Sequence, residues 1–191
     1  MTVNEGVTTV WALAMAGILL ATGWKRQLLD DVSASRAVLT AAALFAACGF
    51  GHAAAPRLAA FLCASLLLRN ADAVKRLQAL FGALPASLAW IGLRKLYADD
   101  PVFILWDERL DGALAAGLLA GAAAGHFRAQ FAAVTAAAAA AHWLDPVPAG
   151  EWGWLDGMLA SLFAARTVTL LMRGAASLAG RLRPQAGSGS E

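Results

Sequence analysis

The chain has 191 residues, 60% of them hydrophobic and 15% charged, with 15 Lys and Arg against 13 Asp and Glu for a net charge of +2. Soluble domains carry about 25% charged residues, and a single domain of this length cannot hide so much apolar surface (mean hydropathy +0.61), so the composition points to a chain solvated by lipid. No basic cluster is dense enough to suggest a nucleic-acid partner.

Charge is confined to breaks between long apolar runs at 7–24, 37–55, 77–93, 112–125, 129–144 and 154–172, with Lys25/Arg26, Lys75/Arg76, Arg94/Lys95 and Arg181/Arg183 at the seams. About 20 apolar residues cross a ~30 Å hydrocarbon layer as a helix; the shorter runs need tilt and snorkelling. The runs lack the alternation of barrel strands, and backbone in lipid must bond within its own segment. The expected fold is all-α, a polytopic transmembrane helical bundle of about seven spans, with six as the alternative.

The first span is expected over about Val7–Trp24. Glu5 precedes it with no Lys or Arg, unlike the basic start of a cleavable signal peptide. Asp30 and Asp31 follow, and Ser33 or Ser35 is placed to cap the next helix. The second span covers about Ala37–Ala55. Pro56 breaks the run, since proline disfavours helix in the residue before it. The 32 residues of 37–68 are too long for one upright span, so a hairpin with a third span over about Arg57–Ala71 is expected. The fourth span, about Leu77–Leu93, contains Pro85, which predicts a kink. Asp100-Pro101 reads as an N-cap and N1 pair, and 102–111 as an interfacial stretch too short to cross. Spans over about Gly112–Gly125, Ala129–Leu144 and Trp152–Met172 complete the set. Residues 1–176 thus form one transmembrane domain, and 177–191 read as a disordered cytoplasmic tail.

Seven spans place 10 Lys and Arg on one side and 4 on the other. The positive-inside rule then puts the N-terminus outside and the C-terminus in the cytoplasm of a cell (inner) membrane. Six of the seven tryptophans (Trp11, Trp90, Trp106, Trp143, Trp152 and Trp154) fall near the outer boundary, where tryptophan prefers to sit. Cys48 and Cys63 lie inside apolar runs and read as free buried thiols.

Gly117, Gly121 and Gly125 are spaced by four, so they line one helix face and let another backbone approach. Close packing on the alanine run 136–141 is one reading and a dimer seam the other. Asp99, Asp100, Asp107, Glu108 and Asp111 form an acidic outer cluster; on a helix Asp107 and Asp111 share a face. Arg109 sits among them and no EF-hand spacing occurs, so capping and solvation fit better than a metal site. Asp156 and Arg166 interrupt the last apolar run. Ionisable groups there are functional candidates, although about 15 Å of helical rise separates them. His52, His126 and His142 are scattered, without zinc-ligand spacing. Asp111-Gly112-x-x-Ala115 and Asp156-Gly157-x-x-Ala160 look like the start of the CDP-alcohol phosphotransferase signature, but Ala116 and Ser161 stand where its arginine belongs. No serine elbow of the rhomboid kind occurs in a span.

The segments Gly23-Trp24-Lys25-Arg26-Gln27-Leu28-Leu29, Asp100-Pro101-Val102 through Leu110, and Gly153-Trp154-Leu155-Asp156-Gly157 with Ala165-Arg166 resemble the small YphA-type membrane proteins of spore-forming Firmicutes. The family has no assigned activity, so the resemblance implies a location and a topology only. The expected function is that of a non-enzymatic accessory, scaffold or assembly component of the membrane. The alternative is a small transporter or channel with Asp156 and Arg166 near its path; a membrane enzyme is third. Expected partners are the lipid bilayer and either a second copy of the chain or another membrane protein. No cofactor or metal is expected.

Overall fold

The computed structural model describes residues 6–49, 54–144 and 151–182. The described residues hold helices α1 (Val7–Ala21), α2 (Lys25–Leu28), α3 (Ala34–Cys48), α4 (Ala55–Arg69), α5 (Ala73–Asp99), α6 (Asp111–Ala123), α7 (Phe127–Leu144) and α8 (Glu151–Leu182), plus a 3-10 turn at Pro101–Phe103.

Local chemistry sets the boundaries. α1 stops three residues before the expected Trp24 because Gly23 adopts a left-handed φ of 93°. Gly23 N donates to Leu20 O and Trp24 N to Leu19 O, the paired closure by which a glycine ends a helix. Ser33 takes the extended N-cap conformation of α3, and Pro56 lies in the first turn of α4, where its missing N–H costs nothing. Residues 37–71 therefore make two helices. α5 runs unbroken through Pro85. The Asp100 side chain accepts from Val102 N and starts the 3-10 turn.

The helices alternate in direction. Gly117 lies against Ser161 and Gly121 against Ala165, so α6 and α8 run parallel. Gly82 meets Ala120 and Ala123 while Gly112 meets Trp90, so α5 and α6 are antiparallel. α1 follows α8, with Gly6 and Thr9 beside Asp156 and Trp11 edge-on to Phe163 at 5.9 Å. The end of α4 meets the start of α7, where the Arg128 guanidinium donates to Asn70 O. One end of the bundle, the basic end, thus gathers the 22–33, 70–72 and 124–126 connections with Arg173.

By length and composition one helix among the described residues can cross a membrane, Gly153–Gly180 within α8. Thr9–Ala21, Ala34–Cys48 and Asp111–Ala123 are apolar but shorter. Each of the seven stretches expected to span holds a helix of 13 residues or more, but 13–15 residues rise only about 20–22 Å, and α5 carries Lys75, Arg76, Arg94 and Lys95. α8 also continues to Leu182, six residues into the segment expected to be a disordered tail; 183–191 lie outside the described residues.

Two packing expectations change. The glycine face of α6 seats on α8, not on the alanine run of α7, which turns largely towards α5 and α4. A Cβ on Gly117 would collide with Ser161 O, and one on Gly121 would lie 2.6 Å from Ala165 O, whereas Gly125 has open space and takes no part. Trp90 and Trp154 are buried core residues, while Trp106 and Trp143 are more than 80% exposed. Trp90 fits because Gly112 and Gly157 leave room for its ring, their virtual Cβ positions lying 3.1 and 3.0 Å from it. Cys48 and Cys63 form no disulfide, Cys48 being buried and Cys63 partly so.

Candidate functional site

The ionisable groups inside the bundle hold helix ends. At the basic end, Asp30 Oδ1 accepts from Phe127 N at 3.1 Å and Asp31 Oδ1 from Arg128 N at 3.3 Å, so two consecutive acids cap α7 from a distant loop. A carboxylate there also meets the positive end of the helix dipole. Arg173 donates to Asp30 Oδ2 at 2.6 Å and to Gly125 O at 2.8 Å. His126 Nδ1 lies 3.3 Å from the same carboxylate. Lys75 is 3.9 Å and Arg128 Nε 3.6 Å from Asp31. Burial pushes the Asp30 pKa up, but the Arg173 hydrogen bond, the Phe127 amide and the charges of Arg166 and Arg173 outweigh it and hold the carboxyl below its ordinary 3.8.

Arg166 is 4% exposed. Its Nη1 donates to Gln130 Oε1 at 3.1 Å and lies 3.6 Å from Asp30 Oδ1; its Nη2 donates to the carbonyl of Gln27. Gln130 is fully buried and donates to Ala124 O at 2.6 Å and Thr169 Oγ1 at 2.5 Å. This network ties α2, the end of α6, α7 and α8 together. Arg166 Nε is buried and has no hydrogen-bond partner.

At the opposite end, Asp156 does for α1 what Asp30 does for α7. The N-cap of α1 is Gly6, which has no side chain to cap with. Asp156 supplies the acceptor from α8, taking hydrogen bonds from Gly6 N at 2.8 Å, Thr9 N at 2.6 Å and Thr9 Oγ1. Asp156 and Arg166 do not pair with each other: Asp156 holds the start of α1, and Arg166 holds a carbonyl of α2, the short helix that follows α1.

The acidic outer cluster does not converge. Residues 104–110 are turns and bends, so Asp107 and Asp111 do not share a helix face. Asp111 is buried and accepts from Tyr97 Oη, Leu105 N and Trp106 N at 3.0–3.1 Å, pinning the loop onto α5. Asp107 accepts from Arg109 N, Asp100 serves the 3-10 turn, and Asp99 and Glu108 are exposed. Among the described residues no group of three or more His, Cys, Asp or Glu is placed to hold a metal ion. His52 lies outside the described residues.

Between α1 and α3, floored by α7 and α8, runs a half-open cavity of about 610 Å³. Leu155, Leu159, Leu162 and Phe163 of α8 line it on one face, and Arg166 closes it at the basic end. Thr40 and Arg166 are the polar side chains among its lining residues. The cavity exists because α1 leans on α8 and α3 on α4, leaving the space between them unfilled.

No family model, curated protein or solved structure matches the chain. Sequence reasoning singled out Asp156, Arg166 and Asp111, the three buried charged residues among the described ones, and missed their partners. Gln130 had a signal, being a polar residue inside an apolar run. Asp30 and Asp31 had none: nothing local links them to amides 97 residues away.

Proposed function

We propose that the chain is a seven-span integral membrane protein acting as a non-enzymatic accessory or scaffold component. The observation that carries the membrane part is an inverted distribution of side-chain size. The core is mostly alanine, with Ala60, Ala86, Ala113, Ala116, Ala120, Ala133 and Ala137 fully buried, while leucines such as Leu39, Leu62, Leu66, Leu80, Leu84 and Leu88 are 58–72% exposed. In water the burial of large apolar side chains drives folding. In lipid that drive between helices is absent, and small residues at helix contacts are favoured instead. The alternating directions and the gathering of Lys75, Arg128 and Arg173 at one end fit a cytoplasmic location for that end.

The accessory role rests on where the buried polar groups point. Asp156, Arg166 and Asp111 each bind backbone or side-chain groups of this chain, which is how a scaffold fixes its helices. A transport path would instead present such groups to a water-filled route. Purified protein reconstituted in liposomes is expected to leave ion and solute flux at the lipid-only level. A saturable flux that Asp156→Asn or Arg166→Gln abolishes in folded protein would establish the transporter reading instead. Mild-detergent purification followed by cross-linking is expected to bring down a membrane partner or a second copy.

A further inference from the structure

We propose that the α1–α3 cavity is a binding site for one acyl chain of an anionic glycerophospholipid, its headgroup held at the basic end; the inference rests on the seven-span reading. The cavity volume of about 610 Å³ falls in the ~300–1,000 Å³ range of ligand sites. Its long axis follows α8 from Leu155 to Arg166, eleven residues or about 16 Å, and its walls are apolar almost throughout. Close-packed interiors do not leave such a space empty, because the lining forfeits its dispersion contacts. In a bilayer the adjacent apolar matter is an acyl chain.

The sign of the headgroup follows from the polar end. Arg166 is buried at the basic end of the cavity with Nε unpartnered. Asp30 and Asp31 are already engaged by Arg166, Arg173, Arg128 and Lys75, so cations outnumber carboxylates there. Two more exposed cations lie close in sequence to lining residues. Lys25 opens the short helix whose Leu28 lines the cavity, and Arg36 stands one helical turn before the lining Thr40. An anionic headgroup adds charge-assisted acceptors to this surplus; a zwitterionic one brings a cation with it.

Gly17 gives a test that spares the fold. It lines the cavity, and a Cβ built there meets nothing within 4 Å, so Gly17→Phe has an open direction in which to place its ring in the acyl site. Protein purified in a mild detergent is titrated with phosphatidylglycerol, with phosphatidylcholine of the same chains, and with inorganic phosphate, reading Tm and lipid adducts by native mass spectrometry. Phosphatidylglycerol should raise Tm saturably, since a ligand of the folded state stabilises it by mass action, and should give one retained adduct. Gly17→Phe should weaken that response about tenfold or more while its lipid-free Tm stays at the wild-type value. Lys25→Gln with Arg36→Gln should erase the preference over phosphatidylcholine. Equal responses to the two lipids, a response to inorganic phosphate alone, or an unaltered response in Gly17→Phe would overturn the proposal. Retention in the membrane fraction through an alkaline wash tells the two readings apart: a retained protein without lipid preference defeats only the lipid site, whereas a released one defeats the seven-span reading as well.

Discussion

Asp156 and Asp30 show how a charged residue inside an apolar bundle becomes part of its architecture. A helix start leaves amide donors without partners, and in a low-dielectric setting each one is costly. α1 begins at a glycine and α7 directly after a tight connection, so neither brings its own cap, and each borrows a carboxylate from far along the chain. Asp156→Ala should therefore lower stability by about 1–3 kcal/mol, the cost of orphaning buried donors, seen as a drop in Tm in detergent and as faster amide exchange confined to the first turn of α1. An unchanged exchange pattern would mean the cap is not what holds that turn. Asp30 predicts a pH dependence. Its folded pKa is depressed below 3.8, so its stabilisation is complete above that value and is lost as pH falls through the lower folded value. Asp30→Asn should be less stable than wild type at neutral pH, and the gap in Tm should close in acid. A gap that stays constant would show that the carboxylate charge is not the source.

α6 illustrates what spacing alone can and cannot say about an element. Glycines four apart announce a close backbone approach, and one exists. Its partner is set by the register of α8, where Ser161 and Ala165 lie opposite Gly117 and Gly121. The third glycine of the pattern faces open space because α6 has already ended at Ala123. Gly117→Ala and Gly121→Ala should each cost about 1–3 kcal/mol through forced separation of the two helices, while Gly125→Ala should stay within about 0.5 kcal/mol of wild type. Equal effects at all three positions would contradict the seam described for α6 and α8. Gly112 and Gly157 make the same point differently: they follow Asp111 and Asp156 in a pair of similar Asp-Gly segments, and both give way to the one ring of Trp90.

At the scale of the whole molecule the alternation of seven helices predicts an odd relation between the chain ends. Reporter fusions after Leu29 and after Leu182 should both signal cytoplasm, and a single cysteine at Trp106, in a chain with Cys48 and Cys63 replaced by serine, should label from outside. Opposite signals from the two fusions would defeat the alternation. The tryptophan distribution supports this topology less than its sequence positions suggest, because Trp90 and Trp154 sit at that end as core residues.

The sequence by itself determined the all-α class and marked Asp156 and Arg166 as charges inside an apolar run; it favoured two helices over 37–71 without deciding it, and it read Asp111, which is buried, as part of a solvated cluster. These follow from composition, proline chemistry and the rarity of charge in apolar runs, all of which are local. Only the tertiary structure decided what those residues do. Their partners lie 139–150 residues away for Arg166 on Gln27 and Asp156 on Gly6, and no local signal encodes a contact across that distance. The apolar cavity is likewise a property of packing: α1 and α3 are neighbours in sequence, but each finds its close contacts on another helix, and the gap left between them appears only once the chain is folded.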